Sequence, residues 1–277
     1  MDTLPLARHI SGDDLNLLSL QPYRVRKHTY ELQRDGLFLA EGKRVVHRLL
    51  ESAINVVSIL TTQQVLEWLQ SRIPSSRFLS LETYLTDREV MADLVGYDVQ
   101  QPVLALARVP PDVAPHAVLN EHPESCLLLA LDRLMNPDNI GVMIRNSVAF
   151  GVNLVIAGES SASPYYRRAV RNSMGALFQQ RVYHAPSLAN TLRNLKEEWN
   201  VQIIGAHPAG SVPLQNSNLR GKVCLVMGNE DTGLTPEVLE LCTQTLHIPL
   251  QHSVDSLNVA NAMAIFLWEI FRQRDLE

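Results

Sequence analysis

Three short segments in the second half of the chain gather side chains that do chemistry only in company. The first, Asn136-Pro137-Asp138-Asn139-Ile140-Gly141-Val142-Met143-Ile144-Arg145-Asn146, combines amides with a guanidinium. Pro137 and Asp138 suit a helix start, which puts Asn139, Gly141 and Arg145 on the first two turns, near the positive end of the helix dipole. A capped helix with an exposed arginine accounts for these residues equally well. The second segment, Val226-Met227-Gly228-Asn229-Glu230-Asp231-Thr232-Gly233-Leu234, is an apolar strand entering a loop with a glycine at each end. Gly228 and Gly233 would let backbone groups approach a flat ligand closely. The G-x-G-x-x-G fingerprint is absent, and Glu230 and Asp231 would repel a pyrophosphate, so a cationic or neutral ligand is favoured. As plain structure it is a strand-to-helix turn, with Thr235-Pro236 opening the next helix. The third segment, Ile248 to Val259, is a strand end, a loop and a helix start that Asp255 or Ser256 is expected to cap. Ser256 reads as a cap rather than a nucleophile, because neither a Ser-His-Asp order nor a G-x-S-x-G elbow accompanies it. His252 alone reads as a surface or hydrogen-bonded histidine.

The elements that must position these segments follow from apolar runs. Strands are expected at Cys126 to Leu131, Leu154 to Ile156, Val201 to Ile204, Val223 to Met227 and Leu246 to Ile248, separated by helix-length stretches. That alternation predicts a mainly parallel sheet covered by helices, with ligands beyond the strand ends. A last helix from about Ser256 to Phe271 carries Leu257, Ala260, Met263, Ala264 and Leu267 at helical spacing, with Trp268 beside them. The first half alternates too: strands at Leu37 to Ala40, Val56 to Leu60, Phe78-Leu79 and Pro102 to Ala107, and helices at Lys43 to Ser52, Thr62 to Gln70 and after Asp87. Pro110, Pro111, Pro115 and Pro123 interrupt the periodicity, so the chain divides into an extension (1–18), a small α/β domain (19–108), a linker (109–124) and a second α/β domain (125–277).

Charge narrows the classes of partner. The 277 residues carry 24 Lys plus Arg against 29 Asp plus Glu, a net charge of −5, which excludes binding driven by overall positive charge. Any nucleic-acid contact is then a local patch. The window from Gln21 to Arg48 supplies one: Arg24, Arg26, Lys27, Arg34, Lys43, Arg44 and Arg48 face only Glu31, Asp35 and Glu41. His28 and His47 lie in the same window and would gain a proton if phosphates came close. Cys126, Cys224 and Cys242 are far apart and set among apolar neighbours, which fits neither a disulfide framework nor a zinc knuckle and favours a reducing, cytoplasmic setting. No metal site is expected. The N-terminus lacks a signal-peptide pattern, and no stretch reaches the roughly 18 apolar residues of a membrane span.

Together and in this order, the three segments resemble the motifs of the SpoU (TrmH-type) class of SPOUT RNA methyltransferases. The likeness covers about residues 126 to 273, and the intervening Arg171-Asn172-Ser173-Met174-Gly175-Ala176 shares it. Leu37-Phe38-Leu39-Ala40-Glu41-Gly42 and the basic helix after it look like the L30e-like RNA-binding domain that often precedes this catalytic domain. The resemblance implies a deep trefoil knot, S-adenosyl-L-methionine bound among the knot loops, and a homodimer through the knotted domain in which each active site draws on both chains. It implies cofactor contacts at Gly228, Ile248 and Leu257, flanked by Met227 and Leu250, and places Asn139, Arg145, Glu230, Ser256 and Asn258 at the family's polar active-site positions. RNA contacts are expected at Arg24, Arg26, Lys27, Lys43, Arg44 and Arg171. The third motif departs from the family where it has Leu250, His252 and Asp255, and the first domain has Val99-Gln100-Gln101-Pro102 where the family often has His-Gln-Gly.

The expected activity is methyl transfer from the cofactor to a ribose 2′-hydroxyl of tRNA or rRNA. Such a reaction needs in-line placement, help with the hydroxyl proton and tolerance of a sulfonium charge, and no metal. Arg145 is expected to position phosphate and hydroxyl, since a guanidinium pKa above about 12 makes a poor base, with Asn139 orienting Arg145 or the ribose. The rival reading is a non-catalytic RNA-binding or assembly protein on the same fold. A nicotinamide oxidoreductase is opposed by the missing fingerprint.

Overall fold

The computed structural model describes residues 7–24, 29–79, 81–251 and 256–275. The chain divides into two compact units, one of Met1–Pro110 with Tyr165–Phe178, the other of Pro111–Pro164 with Gln179–Glu277.

The first unit is built from β1 (Arg8–His9), α1 (Thr29–Arg34), β2 (Leu37–Glu41), α2 (Lys43–Glu51), β3 (Val56–Thr61), α3 (Gln63–Gln70), β4 (Glu82–Leu85), α4 (Arg88–Val95) and β5 (Val103–Arg108). Its sheet has the order β1-β4-β3-β5-β2, with β5 antiparallel to both neighbours and the remaining pairs parallel. Two expectations are corrected. Arg8–His9 pairs with β4 and Ile10 is buried, so part of the expected extension belongs to the sheet. A two-residue strand carries no periodic signal. Phe78 closes a single 3-10 turn after Pro74 rather than starting a strand, because a turn already buries its ring; the strand is Glu82–Leu85, where Tyr84 and Leu85 pair with β3 on one side and β1 on the other. Glu41, at the end of β2, is buried and receives both Nε and Nη2 of Arg167 at 2.7 Å, while Arg171 Nη1 lies 3.8 Å from its other oxygen. A buried carboxylate persists only with such partners, which is why 165–178 belongs with this unit.

The second unit continues with α5 (Pro115–Glu121), β6 (Leu127–Leu131), α6 (Pro137–Ala149), β7 (Leu154–Ala157), then β8 (Val182–His184), α8 (Leu188–Glu197), β9 (Gln202–Ala206), β10 (Val212–Pro213), β11 (Val223–Met227), α9 (Pro236–Leu241), β12 (Gln244–His247) and α10 (Val259–Asp275). The helix α7 (Arg167–Asn172), between β7 and β8, lies in the first unit. The sheet order is β10-β12-β9-β11-β6-β7-β8 and every pair is parallel. Each residue of β6, β7 and β11 is buried, as a sheet covered on both faces requires. The expected linker 109–124 instead holds α5, whose Val118 and Leu119 are in the core. Its prolines bracket the helix: Pro115 sits at its first turn, where a missing N–H costs nothing.

The three cysteines are free thiols. Burial pushes Cys126 up to about 11 and Cys242 up to about 11, and raises the fully buried Cys224 further. A thiol reacts as its thiolate. The native protein at about pH 8 should therefore leave Ellman's reagent almost unreacted, whereas the denatured chain should titrate all three thiols; fast labelling of the native protein would contradict this packing.

Candidate active site

Parallel strands end on one edge, so the loops after β6, β9, β11 and β12, four neighbours in the second sheet, are brought side by side. The loop after β6 is held first. Asp132, almost fully buried, accepts the backbone N–H of Thr235 at 2.6 Å, fixing the start of α9 against the end of β6. Arg133 takes a left-handed backbone, φ 55°, and its carbonyl accepts Asn229 Nδ2 at 3.0 Å. Asn229 Oδ1 in turn accepts the N–H groups of Asp231 and Thr232, and Asn229 and Gly233 exchange two backbone hydrogen bonds. The 228–233 loop is thereby closed on itself and tied to β6.

Gly228 is required at the base of this loop. A Cβ there would meet the backbone carbon of Gly233 at 2.5 Å and the nitrogen of Leu234 at 2.6 Å, and backbone atoms cannot swing aside. Gly233 has φ +68°, the region that glycine adopts without strain.

One amide joins the three motif segments. Asn136 caps α6 through Asp138 N–H, with Pro137 at the first turn, and this sets the phase of the helix that carries Asn139. Asn139 Nδ2 donates to Glu230 Oε1 at 2.6 Å, and Asn139 Oδ1 accepts Asn258 Nδ2 at 3.2 Å. Asn258 Oδ1 then accepts the N–H groups of Ala260 and Asn261 at the start of α10. A carboxylate only accepts and a helix N-terminus only donates, so both amides have one permitted orientation between these ends. Asn258 is thus the cap expected at Asp255 or Ser256; Asp255 and His252 lie outside the described residues. Each end of the Asn139 amide is engaged once here, which leaves one N–H and one oxygen lone pair for a further partner.

A pocket of about 770 Å³ opens beside this junction. Met227, Gly228, Glu230, Ile248, Leu250, Ser256 and Leu257 line it, so all five residues expected to hold the cofactor share one cavity. Sequence reasoning missed Ala206 at the end of β9, His207 and Pro208 just after it, and Val259, Ala262 and Phe266 from the first turns of α10. Gly205-Ala206-His207-Pro208 is a turn signal in the sequence, but the place of β9 between β12 and β11 is not. His207 Nδ1 accepts Ala209 N–H at 3.1 Å, which leaves its other ring nitrogen as the donor of the neutral ring. The lining joins apolar side chains with two carboxylates, Glu230 and Asp231, a combination that suits a ligand with a flat apolar part and a positive charge.

Arg145 stands apart from the junction. It is exposed and has no hydrogen-bond or ion-pair partner among the described residues. At 3.6 residues per turn Asn139 shares a side with Asn146, which reaches Ala260 O at 3.5 Å, whereas Arg145 shares a side with Val142 and Ala149. Among the residues expected to meet RNA, Lys43, Arg44 and Arg171 have exposed or half-exposed side chains. Arg24 is turned inward onto Leu15 O at 2.7 Å and Asn16 Oδ1 at 3.2 Å, so it braces the chain rather than joining an open strip. Arg26, Lys27 and His28 lie outside the described residues.

The Asn139→Asp variant tests the junction. It opposes two carboxylates across a 2.6 Å contact, so the folded state must hold a proton there that the unfolded state releases. The variant's loss of thermal stability relative to wild type should grow as pH rises from about 5 to about 8. An equal loss at both pH values would show that Asn139 and Glu230 do not meet.

Comparison with known proteins agrees with this assembly. The SpoU rRNA Methylase family model matches residues 126–268. The 23S rRNA (guanosine-2′-O-)-methyltransferase RlmB of Acinetobacter baylyi is 33% identical over 196 residues, 68% of this chain and 77% of that protein. The 23S rRNA (guanosine(2553)-2′-O)-methyltransferase RlmP of Bacillus subtilis is 26% identical over 243 residues, 87% of this chain and 90% of its own length. Among solved structures, the SpoU methyltransferase AviRb from Streptomyces viridochromogenes, in complex with the cofactor AdoMet, has a TM-score of 0.78 at 26% identity, covering 92% of this chain and 98% of that one. With the family model matched over more than half of the chain, and with the second and third motif segments lining one pocket while Asn139 of the first is hydrogen-bonded to both, the chain belongs to the SpoU rRNA methylase family.

Proposed function

We propose that this chain transfers a methyl group from S-adenosyl-L-methionine to a ribose 2′-hydroxyl of ribosomal RNA. The observation that carries this reading is the meeting of Glu230, Asn139 and Asn258 beside the 770 Å³ pocket. The cofactor supplies an electrophilic methyl on a sulfonium. Met227, Ile248, Leu250 and Leu257 offer apolar walls for its purine, and Glu230 and Asp231 are the negative charges that favour its cation. Gly228, without a Cβ, lets the backbone of Gly233 and Leu234 close against it, which shapes the loop wall that the ligand meets. Ser256 is exposed at the pocket rim, where its hydroxyl can hydrogen-bond a polar end of the cofactor.

Arg145 positions the nucleotide in this reading, holding the phosphate beside the target ribose and fixing the hydroxyl in line with the methyl. The 2′-hydroxyl loses its proton to solvent or a nearby base as the O–C bond forms and the sulfur leaves as a neutral thioether. The relatives named as 23S rRNA methyltransferases support ribosomal RNA over tRNA. Lys43, Arg44 and Arg171 are the RNA-facing cations of the first unit, which we take as the L30e-like module. The knot implied by the family likeness belongs to the same reading.

A homodimer completes the proposal. α6 and α10 pack together and leave an apolar face: Val142 and Ile265 are each 39% exposed and Trp268 54%, with Phe150 and Phe271 in ring contact with Trp268. Such a patch on a stable chain calls for a partner, and Arg145, on the side of α6 that carries Val142, is then placed to serve a site shared by two copies. No helix among the described residues is long and apolar enough to cross a membrane.

Calorimetric titration with S-adenosyl-L-methionine tests the reading. Saturable binding near one equivalent per chain is expected. Gly228→Ala, whose Cβ must displace the 228–233 loop, should abolish it, whereas Arg145→Ala should bind the cofactor as wild type does yet lose transfer by about 100-fold or more. Loss of cofactor binding in Arg145→Ala would make that residue structural, and no binding by wild type, with or without RNA, would favour the non-catalytic alternative. Trp268→Glu should convert a dimer to a monomer in light scattering; a monomeric wild type would remove the shared-site reading.

A further inference from the structure

A second surface in the first unit brings cations onto an aromatic ring. Lys43, the first residue of α2, holds Nζ 4.2 Å from the centroid of the Trp68 ring, and Arg72, just beyond α3, holds Cζ 4.5 Å from it. The imidazole of His47, one turn after Lys43, lies 5.4 Å from the same ring. Trp68 is half-buried, so part of the residue remains open to solvent. Two like charges converge on one ring, and the nearby carboxylates already have partners: Glu41 is held by Arg167 at 2.7 Å, Glu67 by Gln63 at 2.8 Å and Glu51 by His47 at 3.2 Å. Lys43 also lines a cavity of about 640 Å³ whose wall carries Gln64, Gln100, Gln101 and Arg88.

We infer that Trp68, with Lys43 and Arg72, forms a platform on which an unpaired base of the RNA substrate stacks, with the adjoining amide-lined cavity receiving the neighbouring nucleotide. The inference rests on the RNA methyltransferase reading and extends it to the kind of RNA that is held. Aromatic faces interleaved with cations fit single-stranded RNA, because every base has a π-face and every linkage a phosphate. With a net charge of −5, the chain attracts RNA only through such local patches. The cations are exchangeable: a phosphate draws Lys43 or Arg72 off the ring and frees a face for a base, trading an exposed cation–π contact for a stronger stack. Glutamine amides offer donors and acceptors to base edges in the way amides do in nucleic-acid readers. Paired RNA presents no free base face, so the platform selects loops or bulges.

The test uses a fluorescein-labelled RNA hairpin with an adenosine-rich loop and the blunt duplex of the same stem, each titrated by anisotropy. Trp68→Ala should weaken hairpin binding about tenfold and leave duplex binding as in wild type. Trp68→Phe, which keeps a stacking face, should restore most of that loss, and Lys43→Gln with Arg72→Gln should lower the salt dependence of hairpin binding. Unchanged hairpin affinity in Trp68→Ala overturns the inference and leaves the surface for a protein partner. Equal weakening for hairpin and duplex also overturns it, showing a structural role. Cofactor titration of the same variants separates the two readings: wild-type protein that binds neither S-adenosyl-L-methionine nor RNA overturns the methyltransferase reading and this one with it.

Discussion

The carboxamide of Asn139 is the point on which the site depends. It has one donor end and one acceptor end, and both are committed, to Glu230 and to Asn258. Asn258 passes the constraint to the N-terminus of α10. A fixed negative charge at one end and unpaired helix N–H groups at the other give the whole chain of hydrogen bonds a single direction. Three loops far apart in sequence are thereby held in one register. Only a parallel sheet makes this geometry available, since antiparallel neighbours would send alternate loops to opposite edges.

Around that junction the backbone does much of the binding work and the side chains set the charge. Gly228 leaves no space for a Cβ, Asn229 spends its side chain on closing the loop, and Asp132 spends its carboxylate on Thr235. Few groups are then left free to face a ligand, and the charged ones among them are acidic. A sulfonium is matched by that field, whereas a dinucleotide phosphate is not. The first unit solves a different problem. Its buried Glu41 is neutralised by Arg167 from a distant segment, and its Lys43 and Arg72 meet at Trp68.

Much of this was legible in the sequence because it is local. Leu127 to Leu131 and Val223 to Met227 are continuous apolar runs that fit a sheet buried on both faces, and Asn136-Pro137 marks a helix start by chemistry alone. The family likeness tied Asn139, Glu230 and Asn258 to one site, and the structure joins them by hydrogen bonds. What escaped was set by tertiary partners. Asp255, Ser256 and Asn258 are all good caps, and only the phase of α10 against Asn139 selects Asn258. Phe78 turns away from a strand because a 3-10 turn buries it, and Arg24 is drawn inward by Leu15 and Asn16. His207 entered the pocket unforeseen because periodicity does not reveal strand order.

The most direct measurement is the fate of a labelled methyl group. Ribosomal RNA incubated with the protein and tritium-labelled S-adenosyl-L-methionine is hydrolysed in alkali, where each 2′-oxygen attacks its neighbouring phosphodiester unless it carries a methyl. The account predicts label in an alkali-resistant dinucleotide. Label released in mononucleotides would place the methyl on a base, and RNA that stayed unlabelled in the presence of bound cofactor would contradict transfer altogether.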